Sequence, residues 1–192
     1  MKLERVNLIE IGVALLFIAV GILFRLVPHP ANFAPIAALA LFSGARLPKY
    51  LAFAVPLVAM LVSDIFLGFY EWPIALAVYG SFFFCIFLGS LLKKKPKWTF
   101  TVGYSLIGSL VFFITTNLAV WIFSHWYPKT LVGLGRCFFL ALPFFKNTLL
   151  GDLFFVGLFF GLYELINSLV KTPLSLRVTK RTGAISDNEV LR

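Results

Sequence analysis

Six stretches dominated by Leu, Ile, Val, Ala and Phe divide the chain, at about Leu8 to Leu26, Ala34 to Leu47, Leu51 to Phe69, Pro73 to Leu92, Phe100 to Phe123 and Thr148 to Val170. About 20 apolar residues, rising about 1.5 Å each, cross the roughly 30 Å of hydrocarbon in a bilayer. Five of the six stretches reach that length. The second, Ala34 to Leu47, is short, and it follows Pro28-His29-Pro30-Ala31-Asn32-Phe33-Ala34-Pro35, whose prolines forbid a regular helix. An irregular loop dipping into the protein before the chain crosses is the expected result. With 60% hydrophobic and 13% charged residues in 192, one soluble domain would leave far too much apolar surface in water. The expected fold is therefore all-α: a polytopic membrane protein, a compact bundle of six transmembrane helices with the second short or irregular. The bundle takes residues 1–170 as one domain, and 171–192 form a polar, basic cytoplasmic tail.

The net charge of +9 would suit a nucleic-acid partner if the cations formed one face, but they sit in short clusters between apolar runs. That pattern marks cytoplasmic loops, with the lipid bilayer as partner and no nucleic acid. With the amino terminus inside, the cytoplasmic segments hold Lys2, Arg5, Arg46, Lys49, Lys93, Lys94, Lys95, Lys97, Lys171, Arg177, Lys180, Arg181 and Arg192. The other side holds Arg25, Lys129, Arg136 and Lys146. Thirteen against four accounts for all seventeen cations and puts both termini in the cytoplasm. The segment Ser124 to Asn147 then becomes an external cap whose second half lies in the interface.

This topology gathers the polar intramembrane residues in the outer half. Asp64 falls near the outer end of the third helix, Tyr79 in the outer third of the fourth, and Asn117 and Trp121 on one face of the fifth. Thr148 and Asp152 share a face where the sixth helix opens, with His29, Asn32 and Trp126 in the external loops. A carboxylate within a span costs several kcal/mol unless it is paired or faces water, so Asp64 and Asp152 should face one wet pocket open to the outside. Other readings stand beside this one. Asp64 also suits a structural link between helices, Asp152 a stabiliser of a helix start paired with Arg136 or Lys146, and Asn117 an interhelical hydrogen bond. His29 also suits a satisfied loop residue. Cys85, near the midplane, is a small buried hydrophobe or a ligand for a soft metal. No zinc spacing, phosphate-binding loop, nucleophile elbow or dinucleotide fingerprint is present.

The run Pro28 to Pro35, with Ser63-Asp64-Ile65-Phe66-Leu67-Gly68, Thr115-Thr116-Asn117 and Pro143-Phe144-Phe145-Lys146-Asn147-Thr148-Leu149-Leu150-Gly151-Asp152, resembles a family of small, largely uncharacterised bacterial membrane proteins over residues 8 to 170. That family in turn is similar to substrate-binding S components of energy-coupling-factor (ECF) vitamin transporters. The resemblance implies a bacterial inner-membrane protein that captures a small-molecule, vitamin-like substrate, and delivers it inward by rocking or toppling. It implies cobalamin as the favoured substrate, Cys85 as its cobalt ligand if the pocket reaches the midplane, and no intrinsic cofactor. It also implies docking to an ECF-type energising module through two alanines four apart on the first helix, whereas Ala14 and Ala19 here are five apart. The expected substrate-binding residues are His29, Asn32, Asp64, Tyr79, Asn117, Trp121, Trp126 and Asp152. Rival classes are a membrane enzyme acting on an external lipid or cofactor, with Asp64, Asp152 and His29 as acid and base groups, and a structural or assembly subunit with both carboxylates fully paired and no cavity.

Overall fold

The computed structural model describes residues 8–94 and 97–171. Lys2, Arg5, Lys95 and the tail from 172 onward, with Arg177, Lys180, Arg181 and Arg192, lie outside the described residues. Within the described residues the chain is all helix, without strands. The elements are α1 (Leu8–Leu26), α2 (Ile36–Arg46), α3 (Lys49–Leu67), α4 (Trp72–Leu92), α5 (Trp98–Phe123) and α6 (Leu131–Lys171). Helices α3, α4, α5 and α6 are long and apolar enough to cross a membrane. Residues up to Phe159 form one packed unit, and those from Phe160 form a second, whose described part is the closing stretch of α6.

In the first unit the helices are inverted relative to a water-soluble bundle. Large apolar side chains such as Leu15, Leu23, Phe53, Leu76, Phe87 and Leu110 point outward, while Ser63, Asp64, Ser81, Ser109, Thr148 and Asp152 are buried. Serine and threonine hydroxyls return to carbonyls one turn back, as Ser81 does to Ala77 and Thr116 to Phe112. Across the α4–α5 seam, Ser81 and Thr115 share a hydrogen bond of 2.7 Å.

Helix α2 has 11 residues, about 16 Å at 1.5 Å each. Nine of them, Ile36 and Ala38 to Ala45, are buried, because α2 runs through the middle of the unit against α1, α3, α4 and α5. Its closest neighbour is α4, and the approach is backbone on backbone. A Cβ added to Gly44 would stand 2.2 Å from the Ile86 carbonyl oxygen, and one on Gly89 would stand 2.1 Å from that of Leu41. Only glycine at both positions lets the helices meet this closely. On α1, Val13, Phe17, Gly21 and Arg25 repeat every four residues and form its buried stripe. Phe17 packs edge-on to Phe42 at 4.7 Å and beside Phe159 at 5.1 Å, giving a central aromatic cluster.

The expected external cap from Ser124 to Asn147 is replaced by helix from Leu131 onward. The Thr130 hydroxyl caps the new helix by accepting from the Gly133 amide at 3.1 Å, and Pro143 is carried inside α6 at the loss of one backbone bond. Stacking of Phe113 on Phe145 at 4.5 Å and the edge contact of Phe113 with Phe138 pin this early part of α6 to α5. Lys129 closes the hairpin by donating to the Trp121 and Ser124 carbonyls at the end of α5, where a cation also meets the negative pole of the helix.

The α2–α4 contact gives a direct test. Gly89→Ala should lower stability in detergent by about 1–3 kcal/mol or more, since the new methyl meets main-chain atoms that have no room to move. Gly80→Ala, on the same helix with open space around it, should leave the melting temperature within a degree or two of wild type, by roughly the surface-substitution range.

Candidate functional site

A cavity of about 280 Å³ lies at the end of the first unit where α1 and α3 finish and α4 begins. Its rim is the proline-rich segment 27–35. Arg25, His29, Asn32, Tyr70, Thr148 and Asp152 supply polar groups, and Met60, Val78, Phe82 and Phe112 supply an apolar wall. Ile36 and Ala37, the first residues of α2, reach the same space.

The rim keeps its shape through contacts with α6. Asn147 donates its side-chain amide to the Ala31 carbonyl at 3.0 Å. One turn on, Gly151 leaves room for the loop, since a Cβ there would come within 3.2 Å of the Phe33 Cα. The Phe33 ring packs against Phe155 at 5.5 Å and Phe154 at 5.9 Å. Asn32 turns the chain with φ 63°, a left-handed conformation that asparagine tolerates better than most residues. The His29 Nδ1 donates to the Val27 carbonyl at 2.7 Å, which leaves Nε2 as the ring nitrogen not engaged there. The two sequence runs Pro28 to Pro35 and Pro143 to Asp152 thus meet as one structural element.

Arg25 anchors a buried ion pair behind the cavity wall. Its guanidinium lies 2.8 Å from Asp64 Oδ1, and the same nitrogen donates to Ser63 Oγ at 2.5 Å. The Tyr79 hydroxyl donates to Asp64 Oδ2 at 2.9 Å, so α1, α3 and α4 meet at one carboxylate. Asp64 is only 1% exposed; Arg25 answers its charge and Tyr79 its Oδ2, while Oδ1 meets the guanidinium as an ion contact without a hydrogen bond. Gly68, with φ 93°, ends α3 just beyond it and hands its amide to the Asp64 carbonyl.

Asp152 is handled differently. It is 3% exposed and on the cavity wall, with Ser109 donating to Oδ2 at 2.5 Å. Among the described residues no cation pairs with Asp152, whose partner is the Ser109 hydroxyl. Nor does it open a helix: it lies five turns inside α6, and pairing with Arg136 or Lys146 is not what holds it.

Of the residues expected to bind substrate, the structure brings His29, Asn32 and Asp152 onto the cavity wall. Asp64 and Tyr79 stand behind it, joined to it through Arg25. Asn117, Trp121 and Trp126 are elsewhere. The Asn117 amide donates to the Phe113 carbonyl of its own helix, so it makes no interhelical side-chain bond, and its carbonyl faces the Cys137 thiol. Trp121 braces the α5–α6 hairpin by donating to the Pro128 carbonyl, and Trp126 is 78% exposed. Cys85 is buried facing Gly108 of α5 and is not among the cavity-lining residues. No cluster of three metal-ligating side chains occurs among the described residues. Arg25 was counted only as a loop cation in the sequence. Its place on the stripe Val13, Phe17, Gly21, Arg25, together with Asp64 needing a partner, is the signal that marks it.

The fold and site define an all-helical protein with four helices fit to cross a membrane and a partly polar, ligand-sized cavity at one end of its first unit. The chain belongs to a family of unknown function (DUF6580), whose model matches residues 6–174. Neither the curated proteins nor the solved structures contain a match to it.

The ion pair predicts a specific mutational pattern. Arg25→Met alone should destabilise the protein by about 3–5 kcal/mol, because it strands the Asp64 carboxylate among apolar helices. Adding Asp64→Leu should recover most of that loss in denaturant unfolding, since neither charge then remains.

Proposed function

We propose that this protein is a polytopic membrane protein, with both termini in the cytoplasm, that captures a small molecule from the outer side for uptake. The observation that carries the reading is the cavity. It is a hollow of about 280 Å³ in which polar groups converge over an apolar wall, within helices whose outward faces are apolar. Small-molecule sites have this composition, and the volume lies just below their usual range of about 300–1,000 Å³. The outward apolar faces suit lipid as the surrounding solvent.

A vitamin-like micronutrient handled in the manner of an ECF S component remains our proposal for the ligand class and the mode of uptake. The cavity favours a compact molecule within that class. Cobalamin exceeds this volume, and Cys85 is not on the wall to meet its cobalt. Docking to an energising module through α1 would have to use something other than the expected pair, since Ala14 is buried and Ala19 is exposed. The enzyme reading loses support because Asp64 is committed to Arg25 and Tyr79 behind the wall. The purely structural reading loses support because Asp152 keeps no cationic partner and the hollow persists.

The test is thermal unfolding of the purified protein in the presence of individual water-soluble vitamins and related small metabolites. At least one compact compound should raise the melting temperature of wild type, and the effect should vanish in Ala37→Trp, which fills the hollow. A panel without any stabilising compound, or stabilisation that persists in Ala37→Trp, sinks the proposal.

A further inference from the structure

Resting on that reading, we infer that the cavity selects ligands bearing a positively charged nitrogen, with Asp152 as the counter-ion. Three observations converge on the sign of the charge. First, the two formal charges nearest the hollow besides Asp152 cancel each other, because Arg25 is held 2.8 Å from Asp64. Its Nη1 is committed there, and the pair as a whole carries no net charge. Second, Asp152 is buried on the wall and receives a neutral hydroxyl from Ser109 and no cation. A carboxylate held this way among apolar helices is costly to keep charged, and a bound ammonium would repay that cost. Third, Phe82 and Phe112 stack with centroids 5.7 Å apart and both line the cavity, with Tyr70 at its edge. Aromatic faces attract cations within about 6 Å and disfavour anions.

One feature pulls the other way. The start of α2, at Ile36 and Ala37, reaches the hollow, and a helix start carries about half a positive charge. That partial charge is smaller than the unit charge a carboxylate takes when it pairs with an ammonium, and it fades within one turn, so the carboxylate sets the preference. His29 adds a ring whose Nδ1 is engaged with Val27 and whose Nε2 is free to accept a hydrogen bond from an ammonium. The ligand implied is therefore small, with an apolar or aromatic body against Phe82 and Phe112 and an amine or similar cation toward Asp152.

Three probes of nearly equal shape separate charge from size: phenethylamine, 2-phenylethanol and 3-phenylpropanoate. Each is titrated calorimetrically into the full chain in detergent, with Ala37→Trp as the blank for uptake by micelles. The amine should bind wild type at least about tenfold more tightly than the alcohol, with no measurable binding of the acid. Asp152→Asn preserves shape and the Ser109 contact, and should weaken the amine by about ten- to a hundredfold while leaving the alcohol unchanged. Absence of amine binding, binding of the acid as tight as the amine, or an unaltered amine preference in Asp152→Asn would each overturn the inference. If the alcohol or the acid binds wild type as tightly as the amine or more so, and does not bind Ala37→Trp, the capture proposal stands and only the charge class falls. If no probe binds and the vitamin panel is also silent, both fall.

Discussion

A charge placed among apolar helix ends must find a partner, and much of this protein's interior is arranged around one such pairing. Arg25 comes from the last turn of α1, Asp64 from the last turn of α3 and Tyr79 from the second turn of α4, and the three close on a single carboxylate. Removing two charges from water costs several kcal/mol each, which the contact offsets only if further hydrogen bonds satisfy what remains. Ser63 and Tyr79 provide those bonds. The pairing therefore demands that three helix ends arrive at fixed heights and rotations. The hollow beside it inherits its outline from that demand.

The same economy runs through the rest of the first unit. Glycine at positions 44 and 89 lets main chain touch main chain, while Gly151 admits the rim loop against α6. Ser81 bonds to Ala77 on its own helix and to Thr115 across the α4–α5 seam, while Ser43 Oγ and Ser105 Oγ lie buried without a hydrogen-bond partner. Where lipid is the proposed solvent, apolar burial between helices gains little. Close van der Waals approach and satisfied polar groups then hold the assembly together.

Much of this was legible from residue order. The span Leu8 to Leu26 coincides with α1, and the expected third, fourth and fifth spans fall within a few residues of α3, α4 and α5. A period of apolar residues long enough to cross hydrocarbon is an unmistakable signal. The start of α6 was not legible, because Arg136, Lys146 and Pro143 read as loop, whereas Phe138 and Phe145 packing on Phe113 hold that stretch helical. Tertiary contact overrode local composition there. In the site, Asp152, His29 and Asn32 were recognisable by their unusual depth or their proline setting. Arg25 was missed because the topology count treats every cation near a span as a loop residue, although this one lies on the buried stripe of its helix. Trp121 follows from its four-residue spacing to Asn117 and Trp126 from its place in the external loop, and neither depth nor spacing says which way a ring points.

The brevity of α2 has a further meaning. A helix of 11 residues rises about half the depth that its neighbours cover, so the central column of the unit stops partway. The turns that are missing are the ones that would have stood between Arg25 and Asp152. What sits at the top of that column instead is an irregular strap of prolines, tethered at Asn147 and Gly151. The hollow thus occupies the space that further turns of α2 would fill. A longer α2 would draw the strap that forms the rim into helix and close the hollow.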